Sequence, residues 1–301
     1  MSGDIPLFDL AKGAVPSQTG VAQTGPGSQG EDGLRYMQMP TEMDTFEIPA
    51  LPEAQELAMY PEVGQILLDL QRSLEQGAAN LSGAVSCSRI GLDHLSNDAC
   101  ALLYQTLGEG EVAARIEHPG LNLRIQETVL AGVWWLQQLD SDKKVTHQWL
   151  EVGAVPDHLL TDSFPFSSDF QMPQVPDGLL NAPPVLLELL DKASAHQQQP
   201  FTDPHVINFS LLPFTEEDHA FLGNTLSHGG AVILSRGYGN CRITSCAVPG
   251  IWRVQYFNST DQLILDTIEV ISIPQSACAA REDLEDSAER LQEIYQAMMA
   301  D

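Results

Sequence analysis

Basic residues are scarce. Fourteen lysines and arginines stand against 41 aspartates and glutamates, a formal charge of −27. Nucleic-acid binders set Lys and Arg against phosphates, so that class is excluded, and an anionic membrane surface is disfavoured on the same ground. Long apolar runs are missing too. None approaches the ~18 residues of a membrane span, and the first twenty residues lack the basic and apolar regions of a signal peptide. Cysteine is sparse, with five residues (Cys87, Cys100, Cys241, Cys246 and Cys278), odd in number and widely spaced. That is no disulfide framework, and reduced thiols in the cytoplasm are the expectation. Chemical motifs are equally thin: the sequence has no HExxH or HxxxH spacing and no GxSxG elbow. No catalytic residue is therefore assigned.

What is present is enough for a folded body. Apolar residues make up 43% of 301 positions, sufficient for one large or two ordinary domains. Residues 1–55, rich in Gly, Pro, Ser, Gln and Thr, read as an irregular N-terminal arm. Beyond them the chain resembles itself. At an offset of 119, Ala101, Leu103, Thr106, Leu107 and Gly110 match Ala220, Leu222, Thr225, Leu226 and Gly229. After one lost residue the offset is 118, and Asn122, Arg124, Ile125, Gly132, Trp134, Gln137 and Glu151 match Asn240, Arg242, Ile243, Gly250, Trp252, Gln255 and Glu269.

Each copy opens on an apolar helix, over 61–74 or 183–195, with proline at its start. A second helix begins at a hydroxyl cap, Ser96 or Thr215. The period then changes to two, and hairpins follow through "GVWWLQQL…VTHQWLEV" and "GIWRVQYF…LILDTIEV". The fold class expected is α+β, as two tandem copies of a helix-plus-antiparallel-sheet unit over 56–160 and 183–301. Residues 161–182 read as a connector. The last segment, with Leu284, Ala288, Leu291, Ile294 and Met298 on one face, is an amphipathic helix expected to pack against the second copy.

The stretch "GYGNCRITSC" (237–246) combines glycines and thiols. It lacks the third glycine and the following helix that phosphate cradling requires, so it reads as a turn between strands. Cys241 and Cys246 are the candidate metal ligands, but an odd separation on one strand sends their side chains to opposite faces. The first copy has Leu123 and Thr128 in their places, and no nearby second pair completes a zinc or iron–sulfur site. No metal and no cofactor are expected, and small buried hydrophobes are the plainer role. Glu151 and Glu269 could pair across the copies, though glutamates on a strand's solvent face are the simpler expectation. Trp134 and Trp252 are expected to fill equivalent cores.

The repeated pattern "TLGEGEV…RIQETVLAGVWW…WLEVGAVP", its second copy "GYGNCRI…GIWRVQYFNSTDQLILDTIEV" and the closing "EDLEDSAERLQEI" resemble the HupH/HyaF/HoxQ hydrogenase expression/formation proteins. The resemblance implies a non-catalytic, cytoplasmic accessory protein of [NiFe]-hydrogenase maturation. Its implied partners are the iron–sulfur small-subunit precursor, before export, and a thioredoxin-like accessory protein. A chaperone or scaffold role is the first reading. The alternative is an iron or Fe–S carrier that uses its thiols transiently. The family supplies no catalytic or ligand residues to carry over.

Overall fold

The computed structural model describes residues 52, 54–80, 88–165, 170, 172–237 and 239–299, so most of the N-terminal arm and Cys87 lie outside the described residues. Two helices come first, α1 (Ala54–Met59) and α2 (Pro61–Asn80). Pro61 suits the first helical position, where its missing N–H costs nothing. Val63, Ile66, Leu67, Leu70 and Leu74 recur at helical spacing and are at most 4% exposed. After the short strand β1 (Ser88–Gly91) comes α3 (Asn97–Leu107), where the Ser96 side chain accepts the Ala99 N–H at 3.1 Å. Four strands follow: β2 (Val112–His118), β3 (Leu121–Glu127), β4 (Val133–Leu139) and β5 (Val145–Val152), then the short α4 (Asp157–Thr161).

The same order then recurs. Helix α5 (Ala182–Gln198), β6 (His205–Asn208) and α6 (Glu216–Leu226) lead into β7 (Ala231–Ser235), β8 (Asn240–Ser245), β9 (Ile251–Phe257) and β10 (Leu263–Val270), and α7 (Arg281–Met299) closes the chain. A capping box starts α6: Thr215 accepts the Asp218 N–H, and the Asp218 carboxylate accepts the Thr215 N–H, which satisfies two orphan donors reciprocally. That carboxylate also accepts the Ala182 N–H at 2.9 Å, tying the start of α5 to the start of α6.

The ten strands among the described residues join one antiparallel sheet in the order β1-β5-β4-β3-β2-β7-β8-β9-β10-β6. The central junction is β2 against β7, with Ala114 opposite Ile233. Those two positions match at the sequence offset of 119.

Strand alternation divides the sheet's two faces. One face carries Ile116, Ile125, Trp134, Ile243, Trp252 and Val254 into a single core cluster that spans both halves. Val155 and Leu159 around α4, and Ile271 and Ala277 after β10, cover it. The indole N–H groups of Trp134 and Trp252 donate to Gly153 O (2.9 Å) and Ile271 O (3.2 Å), so the two tryptophans share one core rather than filling separate ones. On the other face lie two helical layers with their own cores, α1, α2 and α3 over the first half and α5 and α6 over the second.

The position of α7 differs from the expectation. Its Leu284, Ala288, Leu291 and Met298 belong to the core of the first half, beside Leu67, Leu70 and Leu103. The route and the seats explain this. Ala279 N–H donates to Ala154 O at 2.8 Å, delivering the chain to the first half. There Gly132, at φ +79°, leaves room for Leu284: an added Cβ would stand 2.3 Å from Leu284 Cδ2. At the matching Gly250 the seat is already filled by His196 of α5, 3.0 Å from where a Cβ would be.

Candidate functional site

The face opposite the shared core would ordinarily be apolar where helices cover it. Along its middle strands it is not. Since Ile116, Ile125, Leu136, Ile243 and Val254 enter the shared core, Arg115, Arg124, Gln137, Arg242, Arg253 and Gln255 point the other way. Register places Arg124 opposite both Arg115 and Gln137, and Arg242 opposite Gln255. The arginine–glutamine neighbours thus occur twice, once in each half. Like charges directly opposite each other destabilise a sheet, so the Arg115–Arg124 juxtaposition is a cost accepted in a chain with few cations to place.

A cavity of about 440 Å³ opens on this face beneath α6, with Arg115, Arg242 and Arg253 in its lining. His219, Leu222, Gly223 and Leu226 form its roof, positions i, i+3, i+4 and i+7 of one helix face. Phe209 and Ile268 add apolar wall. Arg253 is fixed by Asp266 in a two-pronged pair, Nε to Oδ1 at 2.9 Å and an Nη to Oδ2 at 2.5 Å, the geometry at which guanidinium matches carboxylate best. Arg115 pairs with Glu117 at 2.7 Å. Its buried Nε–H has no hydrogen-bond acceptor.

The cavity exists because the two halves differ at two matched positions. In the first half Tyr104 of α3 packs edge-on against Trp135 of β4, ring centroids 5.5 Å apart, and the Tyr104 hydroxyl donates to Glu109. The counterparts in the second half are Gly223 and Arg253. An aromatic pair that fills the space between helix and sheet is replaced by a glycine and a cation. A Cβ on Gly223 would meet nothing within 4 Å.

The thiols singled out by sequence are not brought together. Cys241 lies in the shared core, whereas Cys246 lies in the core beneath α5 and α6 and lines the cavity wall. Burial pushes their thiols up, to about 11 for Cys241 and about 12 for Cys246, so at neutral pH both are protonated and weakly nucleophilic. Among the described residues no three His, Cys, Asp or Glu side chains are grouped to hold a metal ion, and no helix is long and apolar enough to cross a membrane.

The glutamates also depart from the expectation of a solvent-facing position. Glu151 is 2% exposed. It accepts the Trp149 indole N–H at 2.7 Å and the Asp157 N–H at 3.1 Å, and faces Arg89 at 3.3 Å. Arg89 in turn stacks over the Trp149 ring, 4.0 Å from its centroid, a cation–π contact. Glu269 lies instead near Cys241 and Tyr256, and burial pushes its carboxyl up. The two carboxylates sit in separate surroundings.

Comparison with known proteins follows the same outline. A family model described as "HupH hydrogenase expression protein, C-terminal conserved region" matches twice, over residues 65–166 and 179–298. The chain is 51% identical over 281 residues to the hydrogenase expression/formation protein HupQ of Azotobacter chroococcum, covering 91% of this chain and 95% of that one. It is 44% identical over 279 residues to HupH of Rhodobacter capsulatus, with the same coverage. Against the hydrogenase-1 operon protein HyaF of Escherichia coli it is 30% identical over 285 residues, 93% of this chain and 97% of the other. A double match to the conserved region and similarity across nine-tenths of the length place this chain in the HupH family of hydrogenase expression/formation proteins.

Proposed function

We propose that this chain is a cytoplasmic accessory protein of [NiFe]-hydrogenase maturation that holds the iron–sulfur small-subunit precursor as a chaperone or scaffold before export. A thioredoxin-like accessory protein is the second partner proposed. The relatives' names support a role in hydrogenase formation. The observation that carries the holding role is the cavity beneath α6, open in one half where Tyr104 and Trp135 fill the equivalent space in the other. The acidic exterior adds long-range attraction for a client with a basic leader, an attraction that salt weakens.

The body is proposed to be a duplication, with units over 56–160 and 183–301 joined by 161–182. The double match of one conserved region and the meeting of matched positions at the central strand pair support it.

Co-purification tests the client. The full chain and the hydrogenase small-subunit precursor, made together under anaerobic conditions, are expected to leave the cell as a stoichiometric complex. A soluble, intact precursor with none of this chain attached would end the holding role in its simple form.

The carrier reading makes a different demand. Replacing Cys241 and Cys246 with serine, singly and together, is expected to leave hydrogenase maturation unchanged, with a modest loss of stability of about 1–3 kcal/mol from burying the hydroxyls. Loss of maturation by a variant that still folds and still captures the precursor would favour the iron or cluster carrier instead.

A further inference from the structure

From the repeat we infer what occupies the cavity beneath α6: an aromatic side chain, a tyrosine of the client, in the place that Tyr104 fills in the first half. The choice of a client residue rests on the client-holding reading and deepens it. Three residues make the first-half arrangement. Tyr104 of α3 meets Trp135 of β4 edge-on, with ring centroids 5.5 Å apart and planes at 80°, and its hydroxyl donates to Glu109. Their counterparts are Gly223 and His228 at the offset of 119 and Arg253 at the offset of 118. All three line the cavity. The second half keeps the place of a ring and lacks the ring.

What surrounds that place suits an incoming tyrosine. Gly223 is exposed, and a Cβ there would meet nothing within 4 Å, so the cavity is open to solvent where the side chain is missing. Arg253 puts a guanidinium where Trp135 puts an indole. Asp266 takes up the edge of that guanidinium through Nε and one Nη, which leaves its flat face for stacking on a ring. The sheet already holds such a pair elsewhere: Arg89 lies over Trp149, 4.0 Å from the ring centroid, a cation–π contact.

Phe209 and His219, in edge contact at 6.2 Å, add aromatic surface to the cavity, and rings favour further edge contacts of that kind. His228 stands where Glu109 accepts the tyrosine hydroxyl, and a neutral imidazole also presents an accepting nitrogen. The lining mixes polar and apolar side chains, as a tyrosine joins an apolar body to a polar tip. At about 440 Å³ the space falls within the roughly 300–1,000 Å³ of clefts that hold ligands.

The test is a ligand-observed NMR titration of the full chain with two probes. One is p-cresol, the tyrosine side chain as a free molecule, and the other is 4-methylcyclohexanol, its saturated counterpart. The first is expected to saturate a single site. The saturated alcohol is expected to bind more weakly by about fivefold or more, since only a ring draws on the guanidinium and the aromatic wall. Gly223→Tyr rebuilds the first-half arrangement and is expected to abolish p-cresol binding. In the same variant, capture of the small-subunit precursor is expected to weaken by about tenfold or more, the usual cost of losing an aromatic anchor. Gly223→Ala leaves the place of the ring open and is expected to retain both. Should Gly223→Tyr fail to fold, Gly223→Leu puts a strong helix former into the same space and is expected to lose p-cresol likewise.

Equal binding of the two probes, no binding of p-cresol, or p-cresol binding untouched by the filling variants would overturn the aromatic site. Loss of p-cresol in Gly223→Tyr with unchanged capture of the precursor would overturn the assignment of the ring to the client, while client holding itself would stand. Failure of the parent chain to capture the precursor, with p-cresol bound as expected, would end the holding reading and leave the aromatic site in place.

Discussion

Arg253→Met is expected to lower the unfolding free energy by about 3 kcal/mol. The loss comes less from the pair than from what is left behind. Asp266 is 6% exposed, and its carboxylate loses both Arg253 hydrogen bonds in the variant. Removing one member of a buried pair typically costs about 3–5 kcal/mol. The low end applies because the Arg253 side chain retains 36% exposure. A second substitution identifies the cause. In Arg253→Met/Asp266→Leu no charge is stranded, and most of the lost stability is expected to return, since a hydrophobic replacement of a buried pair is often neutral. Urea unfolding of the three proteins measures the cycle. A double variant no more stable than the single would show that the arginine's packing, not its charge, holds the strands together.

Glu127→Gln is expected to stabilise the protein at pH 8 and to leave it nearly unchanged at pH 4.5. Glu127 ends β3 and is 6% exposed; its Oε1 accepts the Gly132 N–H at 3.1 Å. Burial pushes its carboxyl up to about 7, with Glu111 and Asp283 adding to the rise. A folded pKa above the unfolded one means that the group's share of stability is full below about 4.5 and is lost as pH rises through about 7. The gap corresponds to a loss on the order of 3 kcal/mol. Glutamine keeps an oxygen for the Gly132 N–H and carries no charge. The difference between the two proteins should therefore widen from pH 4.5 to pH 8 in paired urea titrations. A difference that stays constant over that range would mean that Glu127 ionises without cost.

How much of this could be read in the sequence depends on which residues are asked. Helical spacing at Val63, Ile66, Leu67, Leu70 and Leu74 and alternation through Trp252 and Val254 were legible because one physical rule, burial of one face, fixes each. The cap at Thr215 was legible because hydroxyl and acids at a helix start have one use. Matched residues marked the common framework: Gly132 and Gly250 both adopt positive φ, +79° and +80°, and both tryptophans donate to backbone oxygens after the last long strand of their half.

The site was missed because it lies in the mismatches. Tyr104 against Gly223 and Trp135 against Arg253 are the two places where a filled half becomes an open one, and a search for likeness passes over them. The signal was available: two aromatics exchanged for a glycine and an arginine at matched, inward positions. Glu151 was misplaced for another reason. Its burial depends on Arg89 and Trp149 from neighbouring positions in the sheet, and no spacing in the chain announces those partners. The destination of α7 was hidden likewise, since only three-dimensional packing shows that His196 occupies the alternative seat.

The crossing of α7 from the end of the chain to the first half has a consequence for synthesis. Leu284, Leu291 and Met298 complete a core whose other members, from Leu57 to Val152, leave the ribosome well before them. The first half therefore emerges with an apolar face uncovered for the time needed to make some 130 further residues, which is about 7–26 s at 5–20 residues per second. Its final fold waits on the last helix. A nascent chain cut short before Leu284 would present that uncovered face to the cell's quality control.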